Sequence, residues 1–318
     1  MKSAYRDQYG PPGILSVREL ELPTLKAREI RVRVRAATVN RTDCAILLGK
    51  PFVMRFFCGL LRPRQHATGT DFAGEVEAVG SAVAHFKVGD RVWGFDDGGL
   101  SSHSQNLVLG EDKAVLKMPA GIDFEQAAAS IEGAHYAYNF INKVGLKAGQ
   151  SALVNGATGA IGSALLQMLK HFGLHVTATC ATPQLARIKA LGADRVIDYL
   201  NEDFSQNQAR YDYVFDAVGK SSFGRCRPLL KPRGVYISSE LGAWLQNPLL
   251  ALLTRAGRRV IFPVPFKPLR SMAFVGGLLE RGEFNPLIDR SFPLEQIQAA
   301  FELALSGEKI GNVMLNMD

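Results

Sequence analysis

Two hydrophobic periods alternate along the chain and divide it into recognisable elements. From Glu29 to Arg35 apolar and charged residues alternate strictly, with Ile30, Val32 and Val34 on one face and Arg31, Arg33 and Arg35 on the other. Period two predicts a half-buried strand. Phe72 to Val79 and Arg91 to Phe95 predict further strands, separated by the turn Val88-Gly89-Asp90. Short strands with frequent glycine turns predict a partly open β-barrel. Asp123 to Val144 predicts a linking helix, after which the period changes. Ala152-Leu153-Val154 is a continuous apolar run, as in a buried parallel strand, and Asn155-Gly156 ends it. Ile161, Leu165, Met168, Leu169 and Phe172 then recur at helical spacing, Gly173 closes the helix, and Leu174 to Thr179 predicts the next strand.

That βαβ unit places Gly156, Ala157, Thr158, Gly159, Ala160, Ile161 and Gly162 at the strand-to-helix turn. The chemistry of a dinucleotide site demands such residues. A side chain at Gly159 would block backbone approach to a pyrophosphate, and one at Gly162 would push helix from strand. The free N–H groups near Ala160 and Ile161 would then face the phosphates at the positive end of the helix dipole. Ala157 occupies the first glycine position of the G-x-G-x-x-G fingerprint, so this is a variant of it. An NAD site carries Asp or Glu about 20 residues further on, for the ribose 2′-hydroxyl. No Asp or Glu occurs from Ser163 to Ala193, which favours NADP(H). Thr179, Thr182, Arg187, Lys189 and Tyr199 are the candidate phosphate partners; Arg187 and Lys189 also read as ordinary solvated helix charges.

Strands recur at Arg195 to Asp198, Tyr213 to Asp216 and Gly234 to Ser238, with helical stretches between. This is the pattern of a doubly wound α/β sheet. Helices near Leu269 to Arg281 and Leu294 to Ser306 and a strand at Asn312 to Asn316 return the chain to its first domain. The expected organisation is a β-rich domain from residues 1–122 and 266–318, with a dinucleotide-binding domain of residues 123–265 inserted in it. The site is expected in the cleft between them.

Several segments together resemble one family: the turn from Val154 to Ala178, Ala36 to Asp43, Gly69 to Val76, Val88 to Val92 and Val196 to Tyr199. Their order is similar to that of the medium-chain dehydrogenase/reductase superfamily, in its zinc-free quinone oxidoreductase branch. The resemblance implies a GroES-like barrel joined to a Rossmann domain. It places Val218-Gly219, after the strand ending at Asp216, on the adenosine side of the cofactor and Ser238-Ser239 on the nicotinamide side. In zinc-dependent relatives a cysteine ligand lies where this chain has Asn40, and a His-Glu pair where it has Thr70-Asp71. Asn and Thr are poor zinc ligands, so no metal is expected. Cys44 reads as a small buried apolar residue. Tyr136 stands where relatives often carry threonine near the nicotinamide, and reads either as a phenol beside the substrate carbonyl or as a core aromatic; His135 reads as structural. Asn40, Asp43 and Tyr136 are the expected pocket residues.

Composition narrows the alternatives. A formal charge of +7, from 37 basic and 30 acidic residues, is spread along the chain without basic–aromatic interleaving. That suits an anionic cofactor and gives no nucleic-acid groove. Cys44, Cys58, Cys180 and Cys226 lack C-x-x-C spacing, which fits a reducing, cytoplasmic compartment. No signal segment and no apolar run of about 18 residues is present, so no membrane insertion is expected. Without zinc there is no strong Lewis acid for simple ketones, which points to activated acceptors, quinones or α,β-unsaturated carbonyls, reduced with NADPH. A zinc-type alcohol dehydrogenase and a non-enzymatic NADPH-binding sensor are the rival readings. Pro51 to Arg62 reads as a packed core segment or as an apolar lid. Leu241 to Arg270, with Leu249 to Leu253 and the cluster Arg255 to Arg259, reads as a homodimer edge, a membrane-surface helix or local core.

Overall fold

A computed structural model describes every residue except Ser239, Arg255 and Asp318, together with the side chains of Phe57 and Ala243. The chain forms two units, one of Met1–Glu132 with Pro268–Asp318 and one of Gly133–Lys267. The division falls later than the expected boundary at residue 123. The expected linking helix is two helices, α3 and α4 below, broken at Ser130-Ile131; α3 stays with the first unit, tied by Asn312 Nδ2 donating to Ala129 O and by Ser291 Oγ donating to Glu125.

In chain order the first unit begins with β1 (Lys2–Tyr5), β2 (Ser16–Glu19), β3 (Glu29–Val39), α1 (Arg41–Leu48), α2 (Met54–Cys58), β4 (Asp71–Val79), β5 (Arg91–Phe95), β6 (Asn106–Gly110), β7 (Val115–Lys117) and α3 (Phe124–Ala129). The second unit carries α4 (Glu132–Ile141, its first residue counted with the first unit), β8 (Ser151–Asn155), α5 (Ala160–His171), β9 (His175–Cys180), α6 (Leu185–Ala190), β10 (Arg195–Asp198), β11 (Tyr211–Asp216), α7 (Phe223–Cys226), β12 (Leu230–Ser238), α8 (Gln246–Leu253) and β13 (Arg259–Ile261). The first unit is completed by α9 (Pro268–Glu280), β14 (Ile288–Pro293), α10 (Ile297–Ser306) and β15 (Asn312–Asn316).

The first unit is built on β3. Its alternating face behaves as the period demands: Ile30, Val32 and Val34 are buried. β3 pairs antiparallel with β4 on one side, and on the other with β6 at its start and β15 at its end. The sheet runs β14-β15-β3-β4-β5-β7. Its buried face packs Phe72, Val76 and Val92 against Phe301 and Ile297 of α10.

The second unit is a six-stranded, wholly parallel sheet in the order β10-β9-β8-β11-β12-β13. The first three strands run outward in one direction and the next three in the other, the doubly wound order, so the strand order reverses between β8 and β11. Among the described residues, no helix is long and apolar enough to cross a membrane.

Candidate active site

In the second unit the carboxyl ends of β8, β9 and β11 are tied by polar side chains. Asn155 Nδ2 donates to Asp216 Oδ1 at 3.0 Å, and Thr179 Oγ1 donates to Asn155 Oδ1 at 2.9 Å while accepting from Gly156 N at 3.1 Å. Asp216 also accepts from Gly219 N at 3.0 Å, from Ser221 N at 3.1 Å and from the Tyr236 hydroxyl at 3.1 Å. The turn after β8 is held from below by this cluster.

Above it the turn is bare. Gly156 has φ +83°, and a Cβ there would meet the Val218 side chain at 2.8 Å. A Cβ on Gly162 would meet Gly156 O at 2.1 Å, so only glycine lets α5 sit this close to the strand. Gly159 differs: its backbone is ordinary, and a Cβ would meet only Gly156 O, at 3.6 Å. Space stands open over Gly159. No side chain caps α5, so the orphan N–H groups of its first turn lack the usual internal acceptor. An uncapped helix start beneath open space is an anion cradle. Ala157 is buried under the turn. A Cβ on Gly133 would touch Ala160 at 2.8 Å, so α4 packs its first turn against the start of α5, and the half-buried Tyr136 lies one turn further along.

Two expectations for the phosphate partners change. Thr179 is fully buried and its hydroxyl is spent within the turn, so it shapes the site from inside and offers nothing to a 2′-phosphate. Asp198, outside the acid-free stretch, pairs in register with Cys180 and thus lies at the end of β9. Its carboxylate accepts from Thr182 Oγ1 at 2.5 Å and from Asn201 Nδ2 at 2.7 Å, and these bonds hold its pKa below the usual range. Sequence reading missed it because the sheet, not the chain, makes it a neighbour; the strand alignment Val196 to Asp198 beside Ala178 to Cys180 was the available signal. Tyr199 and Arg187 are exposed, and Lys189 is occupied by Asp194 O at 2.6 Å. Val218 and Gly219 lie on the loop after β11, with Gly219 at φ +70°. Ser238 is fully buried and accepts from Glu240 N at 3.3 Å; Ser239 lies outside the described residues.

The first unit holds a second polar cluster. Asn40 is the N-cap of α1: its Oδ1 accepts from Asp43 N at 2.9 Å, and Asp43 Oδ2 accepts from Asn40 N at 3.1 Å, a reciprocal capping box. Asn40 Nδ2 donates to Thr70 Oγ1 at 2.8 Å, and Asp71 accepts from both Thr38 N at 2.7 Å and Thr38 Oγ1 at 2.5 Å. His103 Nε2 lies 2.8 Å from Thr38 O, so it donates there; Nδ1 therefore accepts from Thr68 Oγ1 at 2.8 Å. Asn40 and Asp43 were expected to line a pocket. They are 3% and 1% exposed and together cap the start of α1, while Asp43 Oδ1 has no hydrogen-bond partner.

Burial dominates the electrostatics of this cluster. It raises the Asp71 carboxyl to about 7 despite the Thr38 bonds, raises Asp43 with help from Asp71, raises Glu132, and lowers His103 to about 4. His103 is therefore neutral. Cys44 is buried and its thiol pushed up to about 12, an inert apolar residue. His135, also buried, is lowered to about 4. At the positions where zinc-dependent relatives carry ligands stand Asn40, Thr70 and Asp71, already bonded to one another and to Thr38. Among the described residues, no group of three or more His, Cys, Asp or Glu could hold a metal ion. That donor set does not fit zinc.

Comparison with known proteins agrees with this architecture. The alcohol dehydrogenase GroES-like domain family matches residues 26–141, and the zinc-binding dehydrogenase family matches residues 191–315. A quinone oxidoreductase of Pseudomonas aeruginosa is 32% identical over 93% of this chain and 94% of its own. The chain belongs to the medium-chain dehydrogenase/reductase superfamily, in its quinone oxidoreductase-like branch. An Arabidopsis thaliana NADPH-dependent alkenal/one oxidoreductase of the chloroplast is 28% identical over 99% of this chain and 79% of its own. The Escherichia coli quinone oxidoreductase, solved in complex with NADPH, superposes with a TM-score of 0.83 at 26% identity, covering 100% of both chains. The GroES-like and Rossmann-like folds expected from the sequence are thereby established, as is an oxidoreductase of this superfamily.

The buried carboxyls give stability a pH dependence. Asp71 titrates at about 7 in the folded chain and at about 4 when unfolded. Between those values the folded chain keeps a proton that the unfolded chain has released, so this group's contribution to stability falls as pH rises from about 4 to about 7. The raised Glu132 adds the same sign. Asp71→Asn should flatten the fall by an amount on the order of a few kcal/mol across that window, read by denaturant unfolding at its two ends. An unchanged slope would show that Asp71 is ionised in the fold throughout.

Proposed function

We propose that the chain is an NADPH-dependent, zinc-independent reductase of quinones and α,β-unsaturated carbonyl compounds. The observation that carries this reading is the open, uncapped turn at Gly159. Gly156, Thr158, Gly159, Ala160, Ile161 and Gly162 would hold the pyrophosphate by backbone N–H groups, with Ala157 packed beneath. Val218 and Gly219 would flank the adenosine, Ser238 the nicotinamide side, and Thr182, Arg187 and Tyr199 the 2′-phosphate. NADPH supplies a hydride, and the protein supplies orientation and polar contacts. The names of the Arabidopsis and Escherichia coli relatives support the choice of cofactor and acceptor. Tyr136 would donate a hydrogen bond to the acceptor carbonyl, and water would supply the proton.

Zinc independence is supported by the occupied, weak donor set of Asn40, Thr70 and Asp71. An acceptor already conjugated to a carbonyl needs no Lewis acid of that strength. A homodimer is supported by β13 ending the sheet, its Val260 N–H held by Thr254 Oγ1 at 2.8 Å, and by exposed Leu249, Leu252 and Leu253 of α8 close to that strand in sequence. Dimer formation is read by light scattering; loss of the doubled mass on Leu249→Ser with Leu253→Ser is expected, since both side chains are exposed on α8 and their removal leaves the core intact. A wild-type chain of single mass would overturn it.

Gly159→Val should leave the fold intact, because its Cβ has room, and weaken NADPH binding on the order of a hundredfold by filling the phosphate space. Circular dichroism and cofactor fluorescence separate the two effects. Unaltered binding removes the turn from the site. Turnover by the metal-free wild type on a panel of quinones and enones tests the reaction; cofactor binding with no turnover would favour a sensor, and stoichiometric zinc an alcohol dehydrogenase.

Asp198 opposes a 2′-phosphate by its charge and takes the one hydroxyl proton that Thr182 could give it. Asp198→Asn should tighten NADPH by up to about fivefold and leave NADH within about twofold, as for other exposed charge pairs. Equal effects on both cofactors would put the 2′-phosphate elsewhere.

A further inference from the structure

The segment Pro51 to Arg62 was open to two readings from sequence, a packed core segment or a lid, and in the fold five of its apolar side chains are exposed. Phe52, Val53, Phe56, Leu60 and Leu61 are all at least half exposed, Leu61 at 86%. Scattered exposed apolar residues are ordinary; five within ten positions of one segment are not. The segment is fixed from below, which keeps those side chains out of the core. Tyr9 donates its hydroxyl to Gly59 O at 2.6 Å, Arg55 stacks over the Tyr9 ring at 4.7 Å and donates to Gly49 O at 3.3 Å, and Cys58 and Pro63 are buried. Gly59 turns the chain at φ +119°, where a Cβ would strike Arg62 O. Phe52 and Phe56 pack edge to face at 5.8 Å, so the outward cluster is ordered by its own contacts.

Along the segment itself the charge has one sign, the nearest acid recorded being Asp7, 4.0 Å from His66. Lys50, Arg55, Arg62 and Arg64 are interspersed with them, and no Asp or Glu occurs between Asp43 and Asp71. Lys50, Arg62 and Arg64 are exposed. A protein partner's apolar patch would match the phenylalanines and leucines but leave these cations without acceptors. An anionic bilayer surface satisfies both at once, because acyl chains take the apolar tips while headgroup phosphates take the cations.

We propose that Lys50 to Arg64 is a membrane-surface docking element that inserts Phe52, Phe56, Leu60 and Leu61 into the interface of an anionic bilayer, with Lys50, Arg62 and Arg64 on its phosphates. The chain does not cross the bilayer; it rests on it. This assignment is independent of the reductase reading, since lipid binding is measured without turnover. If both hold, the acceptor includes quinones dissolved in the bilayer.

The test is sedimentation of the full chain with vesicles of phosphatidylcholine and phosphatidylglycerol in equal parts, against pure phosphatidylcholine. The chain should pellet with the mixed vesicles only, and added salt should release it. Arg62→Gln with Arg64→Gln should lower the partition constant about twenty-five-fold, near fivefold for each charge removed. Phe56→Ser with Leu61→Ser, both on exposed positions that do not support the core, should abolish pelleting without lowering the melting temperature. Failure of the wild type to pellet, or equal pelleting with pure phosphatidylcholine, overturns the proposal. So does a loss of pelleting on Leu249→Ser with Leu253→Ser but not on the first pair, which would move the contact to α8.

Discussion

The second unit depends on one buried carboxylate. Asp216 collects hydrogen bonds from Asn155 at the end of β8, from Tyr236 on β12 and from the backbone of its own following loop, and Asn155 passes the connection to Thr179 on β9. A carboxylate removed from water is tolerable only when its lone pairs are filled in this way. Four neighbouring strands therefore end at one height, and the glycine turn between β8 and α5 is set on a fixed base. Asn155, Thr179 and Gly156 N are committed to this base, and none of them reaches the space over Gly159.

The first unit solves a similar problem with the opposite outcome. Its cluster of Asp43, Asp71 and Glu132 is buried without a filled set of cationic partners, and burial answers by pushing the protons back on. Thr38 and Asn40 donate to Asp71, and Asn40 N to Asp43 Oδ2, while Asp43 Oδ1 has no hydrogen-bond partner. In a dehydrogenase that holds zinc, charge on the metal would balance such carboxylates. Here the burial that raises Asp43, Asp71 and Glu132 is offset in part by Lys309 beside Glu132 and by hydrogen bonds from Thr38 and Asn40.

The readable parts of the sequence were those where one local rule acts alone. Ile30, Val32 and Val34 announce a strand by period, and Gly162 announces close packing because no other residue fits. The capping role of Asn40 and Asp43 was passed over, although Asn followed three residues later by an acid is a recognisable helix start; the family position of Asn40 outweighed the simpler capping chemistry. Thr179 was misplaced because strand-end hydroxyls look the same whether they face a ligand or the turn beneath it. Asp198 was missed because its neighbour, Cys180, is made adjacent by parallel pairing across a distant stretch of chain. Phe52 to Leu61 gave no warning of exposure, since apolar runs read as core unless something holds them out, and Tyr9 is far away in sequence.

The pairing of β15 with β3 has a consequence for how the protein is made. Val313 to Asn316 lie in register against Val39 to Ala36, the strand end that carries Thr38. During synthesis β3 leaves the ribosome early, while its partner emerges only after the whole of the second unit. The parallel sheet of residues 133–267 can collapse on its own while that edge of β3 waits unpaired, a template for any passing strand. The order of emergence thus makes an early strand among the last to be finished, and the nascent chain is most in need of a chaperone just when its nucleotide-binding half has already emerged.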